Sequence, residues 1–336
     1  MIASLVALTL AAAAPAGPKP GGVKTFTDWT VGCDNGAACQ AVALVPESGS
    51  PDDYLMLVLN RDAGGAAARL SVPAPAAGSY RLTVNGRAIG TVSAKGDDGG
   101  TLALTRSMLD ALAEGDRATL VDARGKSRAA ASLKGLAAAM LYMDDRQGLV
   151  GTRSALRRPG NRVARAAAPA LPVIVSPPAS KARPRTIGVA VATRLIGRDN
   201  ARCDYANGPV APKAHRLDAR HSLVVVDHPC GNGAYNLFSS LFVVDEAGKP
   251  SPARFDSTPG MGVDGTEDNV VVNGDWDPRE RRLGSFAKGR GIGDCGDMQS
   301  FAWDGARFRL VEETVMGECR GSMDYIPVWR ARVVVR

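Results

Sequence analysis

The stretch FTDWTVGCDNGAACQAVAL, residues 26–44, decides how the first part of the chain folds. Apolar and polar side chains alternate on both sides of a short polar turn, and this pattern is typical of a β-hairpin. We expect a disulfide between Cys33 and Cys39 to close the hairpin. On its first strand, Trp29 is expected in the core and Asp28 is expected to face solvent.

Farther along the chain, residues 81–94 carry Asn85-Gly86 between alternating residues. This is a strong hairpin signal, because both turn positions need a positive φ. A short helix is predicted from apolar residues at helical spacing, namely Leu104, Met108 and Leu112.

The clearest helix is predicted over residues 132–147, with Ser132 as its N-cap and Gly148 as its C-terminal stop. Five apolar side chains recur at i, i+3, i+4, i+7 and i+8 and form one face: Leu133, Leu136, Ala137, Met140 and Leu141. We expect this face to pack over a sheet as core rather than to bind a partner.

The second part of the chain begins with a predicted helix around residues 186–197. Short strands follow, separated by turns that contain Asp, Gly and Pro, and Asp304-Gly305 forms the turn of a hairpin within residues 299–313. The sequence therefore predicts an α+β fold that is mainly β. An N-terminal antiparallel β unit with a packed amphipathic helix precedes a C-terminal antiparallel β unit, built as a sandwich or as propeller-like sheets.

An Arg-, Pro- and Ala-rich segment, residues 154–186, is the predicted linker between the two units. Eight basic residues and no acidic one lie between positions 151 and 187, so this region accounts for the net charge of +7 on the 336-residue chain. A basic run without interleaved aromatic residues is typical of a solvated linker, and we expect no nucleic-acid partner. The predicted domains are residues 23–153 and 187–336.

The first 16 residues, MIASLVALTLAAAAPA, are predicted to be a signal peptide, because an apolar run leads into small residues of the A-x-A type. No later stretch approaches the roughly 20 apolar residues that a membrane-spanning helix needs. We therefore expect a periplasmic or secreted protein that is soluble once the signal is removed.

Six cysteines behind an export signal favour disulfides. Six cysteines permit 15 connectivities, and spacing favours pairing in sequence order. The expected bonds are Cys33–Cys39, Cys203–Cys230 and Cys295–Cys319. Zinc is disfavoured because no C-x-x-C occurs and the three histidines lack finger spacing, so neither a metal nor a cofactor is expected.

No nucleophile elbow, P-loop or H-E-x-x-H signature is present in the sequence. An enzyme is therefore less expected than a binding protein, although enzymes can lack these motifs. His228 lies near Cys230, but an exported chain with an even cysteine count favours a half-cystine over a nucleophile there. The carboxylates of residues 264–277 lack the calcium-loop pattern, and surface turns are the simpler interpretation.

The segment GRGIGDCGDMQ, residues 289–299, is the candidate binding loop. It places Arg290, Asp294 and Asp297 among glycines, which let backbone amides approach an anionic or sugar group. The alternative interpretation is a tight corner between strands, held by the Cys295–Cys319 bond.

Several stretches carry a resemblance to known families: DWTVGCDNGAACQAVAL, SLKGLAAAMLYMDDRQGLVGT (132–152), HPCGNGAYN (228–236), GIGDCG and FAWDGARF. Through them the chain resembles the domain of unknown function (DUF) 1176 family of exported bacterial proteins over almost its whole length. Its first unit also resembles the invasion-associated locus B family, whose members are small exported β-rich proteins linked to host-cell invasion. Neither resemblance implies catalytic residues.

Three functions remain open at the level of sequence. The leading hypothesis is a non-enzymatic envelope or secreted protein that binds another protein or a cell-envelope component. The second is a periplasmic hydrolase or sugar-binding enzyme that uses carboxylates near Asp294 and Asp297, in a cleft that raises the pKa of an acid. The third, an inhibitor of a lytic enzyme, differs from the first only in its partner.

Overall fold

A computed structural model describes residues 17–49, 54–96, 98–164, 167–233, 235–260 and 268–336. The predicted signal peptide at residues 1–16 lies outside these ranges, as do the carboxylates Asp264 and Glu267. Within the described ranges the fold is mainly antiparallel β with few helices, which confirms the predicted fold class.

The chain opens with a six-stranded antiparallel sheet in the order β1-β2-β3-β4-β5-β8. Its strands are β1 (Lys24–Phe26), β2 (Trp29–Cys33), β3 (Cys39–Ala43), β4 (Val58–Arg61), β5 (Arg69–Val72) and β8 (Gly100–Ala103). The predicted first hairpin is β2–β3, where Cys33 lies opposite Cys39. Trp29 is fully buried, as predicted.

A second antiparallel sheet and two helices complete the first unit. The strand order is β10-β9-β6-β7. The elements are β6 (Gly78–Val84), β7 (Arg87–Ala94), α1 (Arg106–Glu114), β9 (Arg117–Val121), β10 (Ser127–Ser132) and α2 (Leu136–Arg146). The predicted Asn85-Gly86 turn joins β6 to β7, and one apolar core unites both sheets and both helices.

The helix predicted over residues 132–147 begins later than expected. Ser132 is the last residue of β10, where it pairs with Arg117, so it cannot cap α2. Gly135 precedes the helix with a φ of 100°, a left-handed conformation, and a Cβ there would lie 1.7 Å from the carbonyl oxygen of Phe26. The close approach of backbone therefore fixes the start of the helix at Leu136.

The predicted linker is anchored at both ends. Near its start, the Asp144 carboxylate accepts hydrogen bonds from the backbone amides of Leu156 and Arg157, both at 2.8 Å. Farther along, β11 (Val173–Ser176) pairs in parallel with the last strand, β22 (Arg332–Val335). The placement of the domain boundary in this segment stays a prediction.

Two antiparallel sheets form the second unit. The first contains β12 (Lys213–Arg216), β13 (Ser222–Asp227), β14 (Phe238–Val244), β15 (Pro250–Pro252) and β16 (Val270–Val272). The second follows the order β17 (Asp275–Asp277), β18 (Arg282–Lys288), β19 (Gly296–Trp303), β20 (Phe308–Met316) and β21 (Ile326–Arg330). The predicted Asp304-Gly305 hairpin is β19–β20.

The two sheets pack face to face as a sandwich. Leu223 and Leu241 of the first sheet share a buried core with Phe301 and Phe308 of the second. The helix predicted around 186–197 is α3 (Val189–Ile196), followed by the short α4 (Arg198–Ala201), and it covers the outer face of the first sheet. None of the helices among the described residues has the length and apolar character needed to cross a membrane.

The two units pack against each other through a small apolar cluster, with contributions from both sides: Val42, Leu44 and Val58, and Met316, Tyr325 and Ile326. Arg320 reaches across and donates to Asp28 at 2.6 Å and to the carbonyl oxygen of Val45 at 2.8 Å. The expectation that Asp28 faces solvent is therefore wrong. Its carboxylate is buried because it accepts from a guanidinium almost 300 positions away, a contact that alternation along one strand cannot reveal.

Candidate functional site

All six cysteines form disulfides, joined in sequence order as Cys33–Cys39, Cys203–Cys230 and Cys295–Cys319. The Cys230 thiol is therefore not free to act beside His228. That imidazole is buried and its Nε2 lies 2.7 Å from the Ser240 hydroxyl. Burial is the main reason that the pKa of His228 lies below its ordinary value.

The first of two loops that build the site follows the Cys203–Cys230 bond. Asn232 holds the loop's shape: its amide donates to the carbonyl of His228 at 2.8 Å, and its carbonyl accepts from the amide of Phe238 at 2.9 Å. Asn236 docks the loop onto the other sheet by pairing with both backbone groups of Lys288, at 2.9 and 3.0 Å.

The second loop is the segment that contains Arg290 and Asp294. Arg290 forms an ion pair with Asp294, and the same carboxylate accepts from the backbone amide of Gly321 at 2.7 Å. The Tyr325 hydroxyl donates to the carbonyl of Gly293 at 3.0 Å. Both Asp294 oxygens are thus engaged in holding a corner that the Cys295–Cys319 bond closes.

The two loops meet at Tyr235 and Gly291. Tyr235 has a φ of 62°, in the left-handed region that bulky residues seldom adopt. Its ring lies over Gly291, where a Cβ would be 2.7 Å from the ring's Cδ2 atom. The absence of a side chain at Gly291 is what lets the ring approach the backbone so closely.

This junction exposes three large apolar side chains, which we call the paired-loop surface: Tyr235, Leu237 and Ile292. Their exposed fractions are 77%, 53% and 68%. Apolar side chains that are exposed next to one another mark interaction sites more often than single exposed ones do. The Cys203–Cys230 and Cys295–Cys319 disulfides and the part-buried Asn232 and Asn236 side chains hold the backbone of the two loops in place.

Asp297, the third residue of the predicted binding loop, lies apart from the Arg290–Asp294 pair. It belongs to β19, and its Oδ1 atom is buried without a hydrogen-bond partner. Burial, together with the charge of Glu313, raises the pKa of Asp297 to about 8. Burial also raises the pKa of Glu313, against the lowering effect of a hydrogen bond from Gln299. A protonated carboxyl group at neutral pH can donate a proton.

Sequence reasoning missed a second polar cluster. Asp218 is buried and binds His221, while the Trp303 indole donates to the same carboxylate at 2.7 Å. The sequence offers one signal for this cluster. Asp218 and His221 lie three positions apart, directly before a strongly apolar strand. Among the described residues, no group of three His, Cys, Asp or Glu side chains is arranged to hold a metal ion.

These features define a class: a disulfide-linked, mainly-β protein of two packed sheet units that exposes apolar side chains where two loops meet. The chain belongs to the family described as "Protein of unknown function (DUF1176)", whose model matches residues 23–336. It is 26% identical over 324 residues to the "Uncharacterized protein YpfG" of Escherichia coli (strain K12), and the match covers 88% of each chain. No solved structure matches the chain. The resemblance of the first unit to the invasion-associated locus B family stays a prediction.

Proposed function

We propose that this protein works in the periplasm or after secretion, as a non-enzymatic protein that binds a protein partner through its paired-loop surface. Support for the compartment comes from the three disulfides, which are rare where cytosolic thiols are kept reduced. The apolar start of the chain fits an export signal.

One observation carries the binding proposal: an exposed tyrosine ring is fixed in a strained backbone conformation. Backbone strain persists only where surrounding contacts enforce it, and such strain concentrates at functional sites. Tyrosine is enriched at protein interfaces, because its large ring loses little conformational entropy on binding. Arg290, half exposed beside Ile292, adds a residue type that is also enriched at interfaces.

The test is capture of a partner from envelope extract of the native host by immobilised wild-type protein and two variants. Tyr235→Ala is expected to reduce the captured partner by about tenfold or more, the effect of losing an interface anchor. Val163→Ala is the matched control, because Val163 is 70% exposed and lies outside the surface. Equal capture by all three proteins would overturn the proposal.

A second function, a carboxylate-dependent hydrolase acting on an envelope polymer, is favoured by the pKa of about 8 at Asp297 beside Glu313. A general acid needs a proton to give at working pH, and burial beside Glu313 favours the protonated form of this carboxyl group. Purified wild-type protein and Asp297→Asn should be compared on isolated peptidoglycan. Turnover by the wild type that the variant loses would establish the hydrolase. No turnover of peptidoglycan by either protein would contradict this second function.

A further inference from the structure

A separate cleft of about 580 Å³ opens at the other end of the sandwich from the paired-loop surface. Polar side chains from two turns, from β15 and from the segment after it line the cleft: His221, Asp245, Lys249, Ser251 and Arg254. His221 immediately precedes β13, whereas the first loop of the paired-loop surface follows the end of β13. The two sites therefore lie at opposite ends of the same strand.

Asp218 anchors this cleft. Its carboxylate is buried and accepts from the backbone amides of Arg220 and His221, at 2.7 and 2.8 Å, and from the Trp303 indole at 2.7 Å. Burial alone would raise the pKa of Asp218, but these hydrogen bonds and the one from His221 outweigh it and hold the pKa below its ordinary value. The group is therefore a fixed negative charge at neutral pH.

Asp218 fixes the orientation of the His221 ring. Nδ1 of the imidazole lies 3.0 Å from Asp218 Oδ2, and the ring meets Trp303 edge to face at 5.4 Å between centroids. Nε2 is left as the ring nitrogen without a partner among the described residues, in a side chain that lines the cleft. The hydrogen bond between Nδ1 and a buried carboxylate determines whether Nε2 acts as a donor or as an acceptor toward a ligand.

The cleft also carries two cations that form no ion pair among the described residues. Lys249 and Arg254 are exposed, and neither forms an ion pair with a carboxylate in the described part of the chain. The one carboxylate in the lining, Asp245, accepts from the backbone amide of Lys249 at 2.8 Å and so shapes its own turn. Lys249, Arg254 and the oriented imidazole thus line one recess, in which the carboxylates of Asp218 and Asp245 are already held by hydrogen bonds.

We propose that this cleft binds a phosphate group, either as the free ion or as a monoester. In its doubly protonated form, the His221 ring can donate one N–H to Asp218 and the other to a phosphate oxygen. The Arg254 guanidinium matches two oxygens in a fork, and Lys249 supplies a mobile point charge. The Ser251 hydroxyl, which donates to the carbonyl oxygen of Val243 at 3.3 Å, lies in the same lining.

The test titrates inorganic phosphate and phenyl phosphate into the full-length mature protein and follows the His221 ring signals by NMR. Both probes are expected to shift these signals in a saturable way, and tighter binding of phenyl phosphate would identify a monoester ligand. In Lys249→Ala/Arg254→Ala, the dissociation constant is expected to rise about tenfold, as for loss of two exposed charge contacts.

The matched control is Arg124→Ala/Lys126→Ala, which removes the same charge from an exposed turn of the first unit. Its affinity for either probe should equal that of the wild type. The inference is overturned if His221 does not respond to millimolar phosphate, or if both double variants lose affinity equally. Because Tyr235→Ala leaves this cleft untouched, failure of one proposal is distinguishable from failure of the other.

Discussion

At the scale of single residues, Asp297 places a carboxyl group where its charge is poorly stabilised. Its buried Oδ1 has no hydrogen-bond partner, and Glu313 adds a like charge nearby. Both effects disfavour ionisation in the folded state but disappear in the unfolded chain. The residue thus couples folding stability to pH.

We predict that Asp297→Asn flattens the fall in stability with rising pH. The wild type binds this proton more tightly when folded, so the stability linked to it is complete below pH 4 and is lost as the pH rises to about 8. Urea unfolding at pH 9 should show the variant more stable than the wild type by roughly 2 kcal/mol. Asp204→Asn, a change at an exposed site, is the control. An unchanged pH profile in Asp297→Asn would contradict this assignment.

Arg61 and Asp144 form an ion pair whose two side chains are both fully buried, at 2.7 Å. Arg61→Met should lower the free energy of unfolding by about 3–5 kcal/mol, because the partner carboxylate remains buried without its counter-charge. The exposed pair Arg69–Asp62 gives the control, since Arg69→Met should cost less than about 1 kcal/mol. Equal losses in urea unfolding would show that Asp144 is satisfied by its amide donors alone.

At the scale of elements, the residues that favour tight turns predict the hairpins correctly. Asn85-Gly86 and Asp304-Gly305 both form the hairpins that the sequence predicts, because a local turn needs only local residues. The start of α2 was misjudged for the opposite reason. Ser132 has the chemistry of an N-cap, but its strand pairing with Arg117 prevails. The contact between the two loops could not be predicted from the sequence either, because Tyr235 and Gly291 lie far apart along the chain.

The contact between the two loops leads to a prediction about Gly291. Gly291→Ala should displace the Tyr235 ring and lower the melting temperature slightly, because an added Cβ would lie 2.7 Å from its Cδ2 and 2.9 Å from its Cε2 atom. The NMR signals of the Tyr235 ring and partner capture should both change. Gly233→Ala is the matched control, since a Cβ there meets no atom within 4 Å. If both variants behave alike, the ring is not held against Gly291.

At the scale of the whole molecule, Arg320 links the two units. It donates to Thr27 and Val45 carbonyls and to the buried Asp28 carboxylate. Arg320→Ala should therefore lower the urea midpoint by an amount equivalent to about 2–4 kcal/mol, with Arg279→Ala, an exposed change, as the control. A variant as stable as the control would mean that the apolar cluster and the remaining polar contacts, such as Asn35 with Arg330, hold the units together without Arg320.

The central claim is that the paired-loop surface binds a partner, and cross-linking at that surface tests it most directly. A photoreactive phenylalanine analogue would replace Tyr235 in one protein and Val163 in another, each expressed in the native host and irradiated in intact cells. The account predicts a discrete, saturable adduct from position 235 and none from position 163. No adduct at 235, or the same adducts from both positions, would contradict it.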